Sequence, residues 1–324
     1  MLDRTDFVKK QIVFLFANDG EKLSFLNDNL VIRKKDKTIK YQITCYRIFL
    51  VYVVGEISIT SGLIMRAKKF GFVICLMNRN FRLYSIIGNR MEGNTLLHRK
   101  QYQYEGDSLA QFLVANKIKN QRLALQKRRE KTELCKEAIT ILEGYEKKLE
   151  SEVMSGKTLL GLEGSAARVY FPQMFDIVNW KGRKPRIKSD YLNATLDLGY
   201  SLLFNMVDSL LQVYGFDVYC GVYHKEFYMR KSLSCDLMEP IRPIIDLKVR
   251  KAINLKQIKD DDFQVFNNRW TLSYKKSPEY IRILLEEILD YKEEMFLYTQ
   301  DYYRSFMQGK TSKEYRMFNL QVKK

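Results

Sequence analysis

The chain has 324 residues, 46% of them hydrophobic, with 55 Lys and Arg against 38 Asp and Glu, a net charge of +17. That length supports two domains with their own cores, and an apolar fraction this high with only 16 Gly and 5 Pro excludes a disordered chain. The positive excess suits a polyanion, nucleic acid first and an anionic membrane second, while five cysteines without a close C-x-x-C pair argue against a disulfide framework or a zinc ribbon.

The start, MLDRTDFVKKQIVFLFANDG, mixes acidic with basic residues around a short apolar run, so no secretory signal is expected. No stretch approaches the roughly 20 apolar residues that span a bilayer. A reduced, cytoplasmic protein without a membrane partner is the expectation. Residues 1–105 read as β-rich: QIVFLFA, LVIRK, KTIKYQITCYRIFLVYVVG, ISIT, GFVICLMN and FRLYSIIG are dense in β-branched and aromatic residues. Turn signals at Asn18-Asp19-Gly20 and Asn27-Asp28-Asn29 separate them. The tip VIRKKDKTIK is either a solvated turn or a contact to a nucleic-acid backbone. Ile48–Val54 is apolar throughout, and so small a domain should leave part of such strands for a second copy to cover.

From Asp107 the period changes to that of helices. Leu109, Phe112, Leu113 and Ile118 recur at helical spacing, with Asp107 or Ser108 as N-cap. Lys117, Lys119, Arg122, Lys127 and Arg128 crowd this helix and are candidate phosphate contacts. Further helical patterns cover 132–155, 158–169, 189–214, 228–239 and 279–307. Between two of them, NWKGRKPRIK (179–188) is a basic loop whose Lys181, Arg183, Lys184 and Arg186 are additional candidates. The tail from about 308 is expected to be loose unless Tyr315 and Phe318 dock it. The fold class is therefore α+β: a β-rich domain over 1–105 that mediates a homodimer, then an all-α-helical catalytic domain over 106–324.

Chemistry concentrates in GVYHKEFYMRKSLSCDLMEPIRP, 221–243. His224 is one of two histidines in the chain. Asp236 and Glu239, at i and i+3, project from one helix face. One imidazole with carboxylates suits Mg²⁺ or Mn²⁺ better than zinc. Glu163, in LLGLEGSAARVYF, lies among small and apolar residues, where a carboxylate is costly unless paired or bound to a cation. Taken alone, a glutamate near a helix start more commonly complements the dipole. His98 has no such surroundings and reads as ordinary.

The order of GLEGSAARVYF (161–171), DYLNATLDLGYSLL (190–203), GVYH (221–224) and SLSCDLMEPIRP (232–243), with KIKNQR (117–122) ahead of them, resembles the CRISPR spacer-acquisition integrase family, Cas1. The resemblance covers nearly the whole chain. It implies Glu163, His224 and Asp236 as metal ligands with Glu239 assisting, Asn193 in support, and Arg242 among the DNA contacts. It implies an enzyme of antiviral defence: a Mg²⁺- or Mn²⁺-dependent DNA endonuclease and integrase that joins the 3′-hydroxyl of a short protospacer to double-stranded CRISPR repeat DNA. It further implies a homodimer and a small dimeric companion, Cas2, bridging two such dimers. KEFYMRKSLSC, between His224 and Asp236, departs from the smaller, more glycine-rich loop of many relatives. Two other readings remain: a metal-dependent nuclease on branched or single-stranded DNA, and a non-enzymatic DNA-binding scaffold, which leaves the carboxylates unexplained.

Overall fold

The computed structural model describes residues 10–321 apart from 19, 79–82, 89–90, 92, 179, 225–226 and 274. The described chain divides into two compact units: one runs to His98 and includes Asp208–Phe216, and the other takes Arg99–Val207 and the chain from Asp217.

The first unit contains β1 (Gln11–Phe16), β2 (Lys22–Leu26), β3 (Asn29–Arg33), β4 (Ile39–Thr44), β5 (Ile48–Val54), β6 (Ser58–Ile59), α1 (Ser61–Phe70), β7 (Val73–Met77) and β8 (Leu83–Gly88). Two four-stranded sheets form, ordered β1-β5-β7-β8 and β4-β3-β2-β6. In the first, β1, β5 and β7 are parallel and β8 antiparallel. The β2–β3 hairpin turns at Asn27 and Asp28, whose φ values of 45° and 56° are those its two-residue turn demands. The other expected turn includes residue 19, outside the described residues. The basic tip between β3 and β4 is a turn closed by Lys37 N–H on Lys34 O at 3.0 Å.

All seven residues of β5 are buried. Ile48, Val51 and Val53 join Leu23, Leu30 and Ile32 in one apolar cluster. Tyr52 stacks on Phe14 at 4.5 Å and its hydroxyl bonds Ser209 Oγ at 2.6 Å. A continuous apolar run is the mark of a strand covered on both faces. The chain covers Ile48–Val54 itself, which removes the ground on which that run was expected to need a second copy. Helix α1, ended by Gly71 at φ 73°, lies in a stretch read only as strands.

The second unit is built from α2 (Thr95–Tyr102, shared with the first), α3 (Ser108–Gln126), α4 (Glu133–Ser151), α5 (Gly156–Met174), α6 (Tyr191–Val213), α7 (Ser232–Met238), α8 (Pro243–Asn254), α9 (Ser277–Asp290) and α10 (Lys292–Gln308). A hairpin of β9 (Phe263–Phe266) and β10 (Arg269–Leu272) interrupts what was expected to be purely helical. Helix α3 is buried on nearly every side, polar residues included, and packs against α4, α5 and α8. The tail is docked rather than loose: Tyr315, Phe318 and Leu320 are buried. Asn116 and Asn120 of α3 donate to Phe318 O at 3.0 Å each, and Phe318 N–H donates to Asn116 Oδ1 at 2.8 Å.

Candidate functional site

Four segments of the second unit meet around Lys117. Helix α3 supplies that lysine, α5 supplies Glu163, the loop 221–224 supplies Tyr223 and His224, and α7 with its 3-10 extension Glu239–Ile241 supplies Asp236 and Glu239. The prolines of DLMEPIRP set this last geometry. Pro240 lacks the N–H a continuing helix needs, so α7 tightens and stops there, and Pro243 opens α8.

Asp236 is fully buried. Its Oδ2 accepts the backbone N–H of Val222 at 2.8 Å and of Tyr223 at 3.0 Å; its Oδ1 accepts His224 N–H at 3.0 Å and the ring Nδ1 at 2.6 Å. Four donors fill the acceptor sites of one carboxylate. The loop wraps so closely that a Cβ on Gly221 would lie 2.6 Å from Ser232 Cβ and 2.8 Å from Asp236 Oδ2, which explains the glycine of GVYH. With Nδ1 donating to Asp236, a neutral His224 ring presents Nε2 as its free acceptor.

Glu163 and Glu239 converge on one cation. The Lys117 ammonium contacts Glu163 Oε1 and lies 2.6 Å from Glu239 Oε2. Burial opposes the charge on Lys117, but Glu239 and Glu163 outweigh it and raise its pKa. Glu163 Oε2 accepts the Tyr223 hydroxyl at 2.5 Å, and burial followed by this carboxylate pushes the phenol well above its usual range. Glu239 is gripped by Arg242 Nη1 at 2.7 and 3.0 Å. Burial alone would raise its carboxyl, yet Arg242 and Lys117 hold it down at about 2. Arg242 lies 4.0 Å from the Tyr200 ring centre; the Tyr200 hydroxyl donates to Asp246, which Tyr170 also donates to at 2.9 Å. Tyr170, Tyr200, Tyr223, Asp246 and the pairing role of Lys117 were missed in the sequence. The tyrosines lie inside its three informative blocks, where a phenol in an apolar pattern reads as core.

Asp236 was expected as a metal ligand; here both its oxygens accept from the loop and the ring. Among the described residues no three His, Cys, Asp or Glu side chains converge as an ion cage while Lys117 sits between Glu163 and Glu239. Of the expected DNA contacts, Lys117 is buried in this cluster. Arg122 pairs with Glu146 at 2.5 Å, and buried Arg128 pairs with Asp176 at 2.6 Å. Lys127 donates to Leu320 O at 2.6 Å, Arg183 pairs with Asp197 at 2.5 Å, and Arg242 holds Glu239. Each of these six cations lies opposite an acceptor within the chain, and of the six Lys127 is itself exposed. Lys119, Lys181, Lys184 and Arg186 remain exposed. Asn193, fully buried, anchors the basic loop: it accepts from Arg183 Nη1 at 2.9 Å and Lys184 N–H at 2.8 Å, and donates to Gly182 O at 3.1 Å.

Residues 14–286 match the family model described as CRISPR associated protein Cas1. A CRISPR-associated endonuclease Cas1 of Thermodesulfovibrio yellowstonii is 32% identical over 228 residues, 66% of this chain and 71% of that protein. One of Chlorobaculum tepidum is 27% identical over 277 residues, 80% of each. Among solved structures, a chain of a partial Cas6-RT-Cas1–Cas2 complex superposes with a TM-score of 0.75 at 23% identity, covering 97% of this chain and 100% of that one. A Cas1 protein from Thermotoga maritima gives 0.71 at 18% over 96% and 100%, and a casposase bound to integration product 0.67 at 17% over 96% of each. At these identities the superpositions establish the fold alone.

Proposed function

Because this chain belongs to the CRISPR-associated Cas1 family, we propose that it is a metal-dependent DNA integrase of CRISPR adaptation, with endonuclease activity at the same site. The observation that carries this reading is the convergence of Glu163 and Glu239, from separate helical segments, on one buried cation beside an imidazole whose Nδ1 is locked by Asp236.

The donor set fits Mg²⁺ or Mn²⁺. Two carboxylates already share a positive charge, and the ammonium of Lys117 is the stand-in for it. Glu163, Glu239 and His224 Nε2 would hold the ion, while Asp236 orients His224 through Nδ1. A bound ion of this kind lowers the pKa of an attacking hydroxyl and offsets the negative charge that builds on phosphorus and the leaving oxygen. The chain's own groups do the rest. Tyr223 fixes Glu163 by occupying Oε2, Arg242 fixes Glu239, and Lys117 keeps a positive charge beside both. Gly161 and Gly164 on α5 face open space, with no described atom within 4 Å of a Cβ built there, which leaves room for a DNA backbone near Glu163.

The reaction joins the 3′-oxygen of a short fragment to a phosphorus of the repeat. The new P–O bond replaces the P–O3′ bond that breaks, and the hydroxyl proton passes to the leaving oxygen or to water. One phosphodiester exchanges for another, so no nucleotide cofactor is required. Two structural neighbours are chains of Cas6-RT-Cas1–Cas2 complexes, and we propose by analogy a Cas2 companion, with a homodimer of this chain working on protospacer and repeat DNA.

The test is a strand-joining assay with a labelled short duplex and a supercoiled plasmid bearing a repeat, in Mg²⁺, Mn²⁺ or EDTA. Joined product with either ion, and none in EDTA or with Glu163→Gln, is expected. Nicked plasmid without joined label would make the protein a nuclease only.

A further inference from the structure

Glu163 Oε1 and Glu239 Oε2 are the oxygens that a shared ion would take, and both already hold the ammonium of buried Lys117. The other oxygen of each carboxylate has a partner of its own. Tyr223 donates to Glu163 Oε2 at 2.5 Å, and Arg242 Nη1 donates to Glu239 Oε1 at 2.7 Å. The packing of α3 delivers the lysine to this place. Asn120, at i+3 from Lys117 and so on the same helix face, donates to Pro240 O at 2.8 Å, which ties α3 to the residue after Glu239. Asn116 is fixed in turn, donating to Phe318 O at 3.0 Å and accepting Phe318 N–H at 2.8 Å. The backbone around Lys117 is thereby held, and rotation of its four-carbon side chain is what can free the two oxygens.

We propose that Lys117 is a built-in competitor for the divalent cation: its ammonium holds the two carboxylate oxygens in the metal-free protein and must give them up for Mg²⁺ or Mn²⁺ to bind. This rests on reading the cluster as a metal site. An octahedral ion draws its oxygens to about 2.0–2.1 Å, and a divalent charge at that place repels the ammonium. The two cations therefore exclude one another. Lys117 and Arg242 already balance Glu163 and Glu239 in charge, so the free protein spares two buried carboxylates from facing each other unpaired. The consequence is a weaker affinity for the ion, reduced by the fraction of molecules in which Lys117 has left the oxygens. A lysine that only shaped the site would act with the opposite sign. Its removal would let the like-charged carboxylates part and would weaken the binding of the ion.

The experiment titrates Mn²⁺ into the full-length protein without DNA and reads the free ion by electron paramagnetic resonance. Lys117→Met keeps a long side chain and removes its charge. It should bind Mn²⁺ at least about fivefold more tightly than wild type, the lower end of the usual coupling between two ligands of one protein. Arg122→Met removes the same charge elsewhere on α3, where Arg122 pairs with Glu146, and should stay within about twofold of wild type. Urea unfolding gives a second reading. A bound ion stabilises the folded chain by an amount that grows with the logarithm of its concentration over its Kd. A fixed Mn²⁺ concentration should therefore raise the unfolding midpoint of Lys117→Met more than that of wild type. If Lys117→Met is unfolded in EDTA, Mn²⁺ should fold it, as read by circular dichroism; a chain that stays unfolded in Mn²⁺ overturns the proposal. Mn²⁺ affinity that is unchanged or weaker in Lys117→Met, or raised equally in Arg122→Met, also overturns it, and Lys117 is then a structural counter-ion within a metal site that still stands. No Mn²⁺ bound by wild type or by Lys117→Met removes the metal-dependent reading together with this one.

Discussion

Replacing Asp236 by Asn separates a ligand from a positioning residue. The carboxylate accepts four donors, three of them the amides of Val222, Tyr223 and His224. An Asn oxygen accepts two. The other two meet an NH₂ group, and both lie in a site with no access to water, since Asp236 is fully buried. A hydrogen bond to a charged group contributes about 1.5–3 kcal/mol. Losing two costs the closed loop at least about 3 kcal/mol, a rise of at least roughly 150-fold in its opening equilibrium. Hydrogen exchange of the 221–233 segment, read by mass spectrometry, should therefore accelerate by at least that factor in Asp236→Asn. Exchange elsewhere in the second unit should change little. Joining should fall because His224 is no longer held, even at saturating Mn²⁺. A variant that exchanges like wild type in this segment, while losing only metal affinity, would refute the argument and return Asp236 to the ligand set.

Tyr223→Phe removes one hydrogen bond to Glu163 and should raise the Mn²⁺ concentration for half-maximal joining about 10- to 100-fold, with the unfolding midpoint nearly unchanged; titration of joining against Mn²⁺ reads it. Lys117→Ala leaves two buried carboxylates sharing one fewer cation and should cost about 3–5 kcal/mol of stability in urea without changing the salt dependence of DNA binding. Lys184→Ala/Arg186→Ala should do the reverse, lowering the slope of log affinity against log salt by about 0.9 for each phosphate no longer neutralised. Glu239, at about 2 in the folded chain against an ordinary 4.5, stabilises the fold fully above pH 4.5 and loses that contribution as the pH falls toward 2; acid unfolding of Glu239→Gln should be flatter than wild type across that window. Truncation after residue 311 removes Phe318 from its socket, orphans the Asn116 amide and leaves Asn120 with Pro240 O alone, and should cost at least about 3 kcal/mol by urea titration.

What could be read in the sequence follows from how local the cause is. The β2–β3 turn was legible because Asn27-Asp28 carries its own conformational preference. The strand at Ile48–Val54 was legible because burial on both faces leaves no polar position. Helix α1 was not, because Ser61–Phe70 is short and lies among strongly apolar strands. Glu163, His224, Asp236 and Glu239 were found as residues, but their division of labour was hidden. Asp236 and Glu239 are equivalent by spacing, and only the path of the loop 221–224 decides that the first faces three backbone amides while the second faces Lys117 and Arg242. Lys117 itself was misread because helical spacing says nothing about which carboxylates arrive from residues 163 and 239.

The inward turn of Lys117, Arg122 and Arg128 does not weaken the case for a polyanionic substrate. Each takes a carboxylate with it: Glu163 or Glu239, Glu146, and Asp176. An internal pair removes one charge of each sign, so the net +17 is untouched and must be carried by cations outside such pairs. Of the two basic segments singled out in the sequence, the helix has most of its cations paired, while three of the four cations singled out in the loop are exposed. Lys181, Lys184, Arg186 and Lys188 are exposed on a loop that Asn193 anchors from below, with Arg186 and Lys188 both at positive φ. Arg186 also lines the cleft that contains His224. A rigidly held basic loop beside the reactive imidazole can direct a phosphate backbone to it. Lys117, Arg122 and Arg128 cannot, since each is already paired with a carboxylate where it stands.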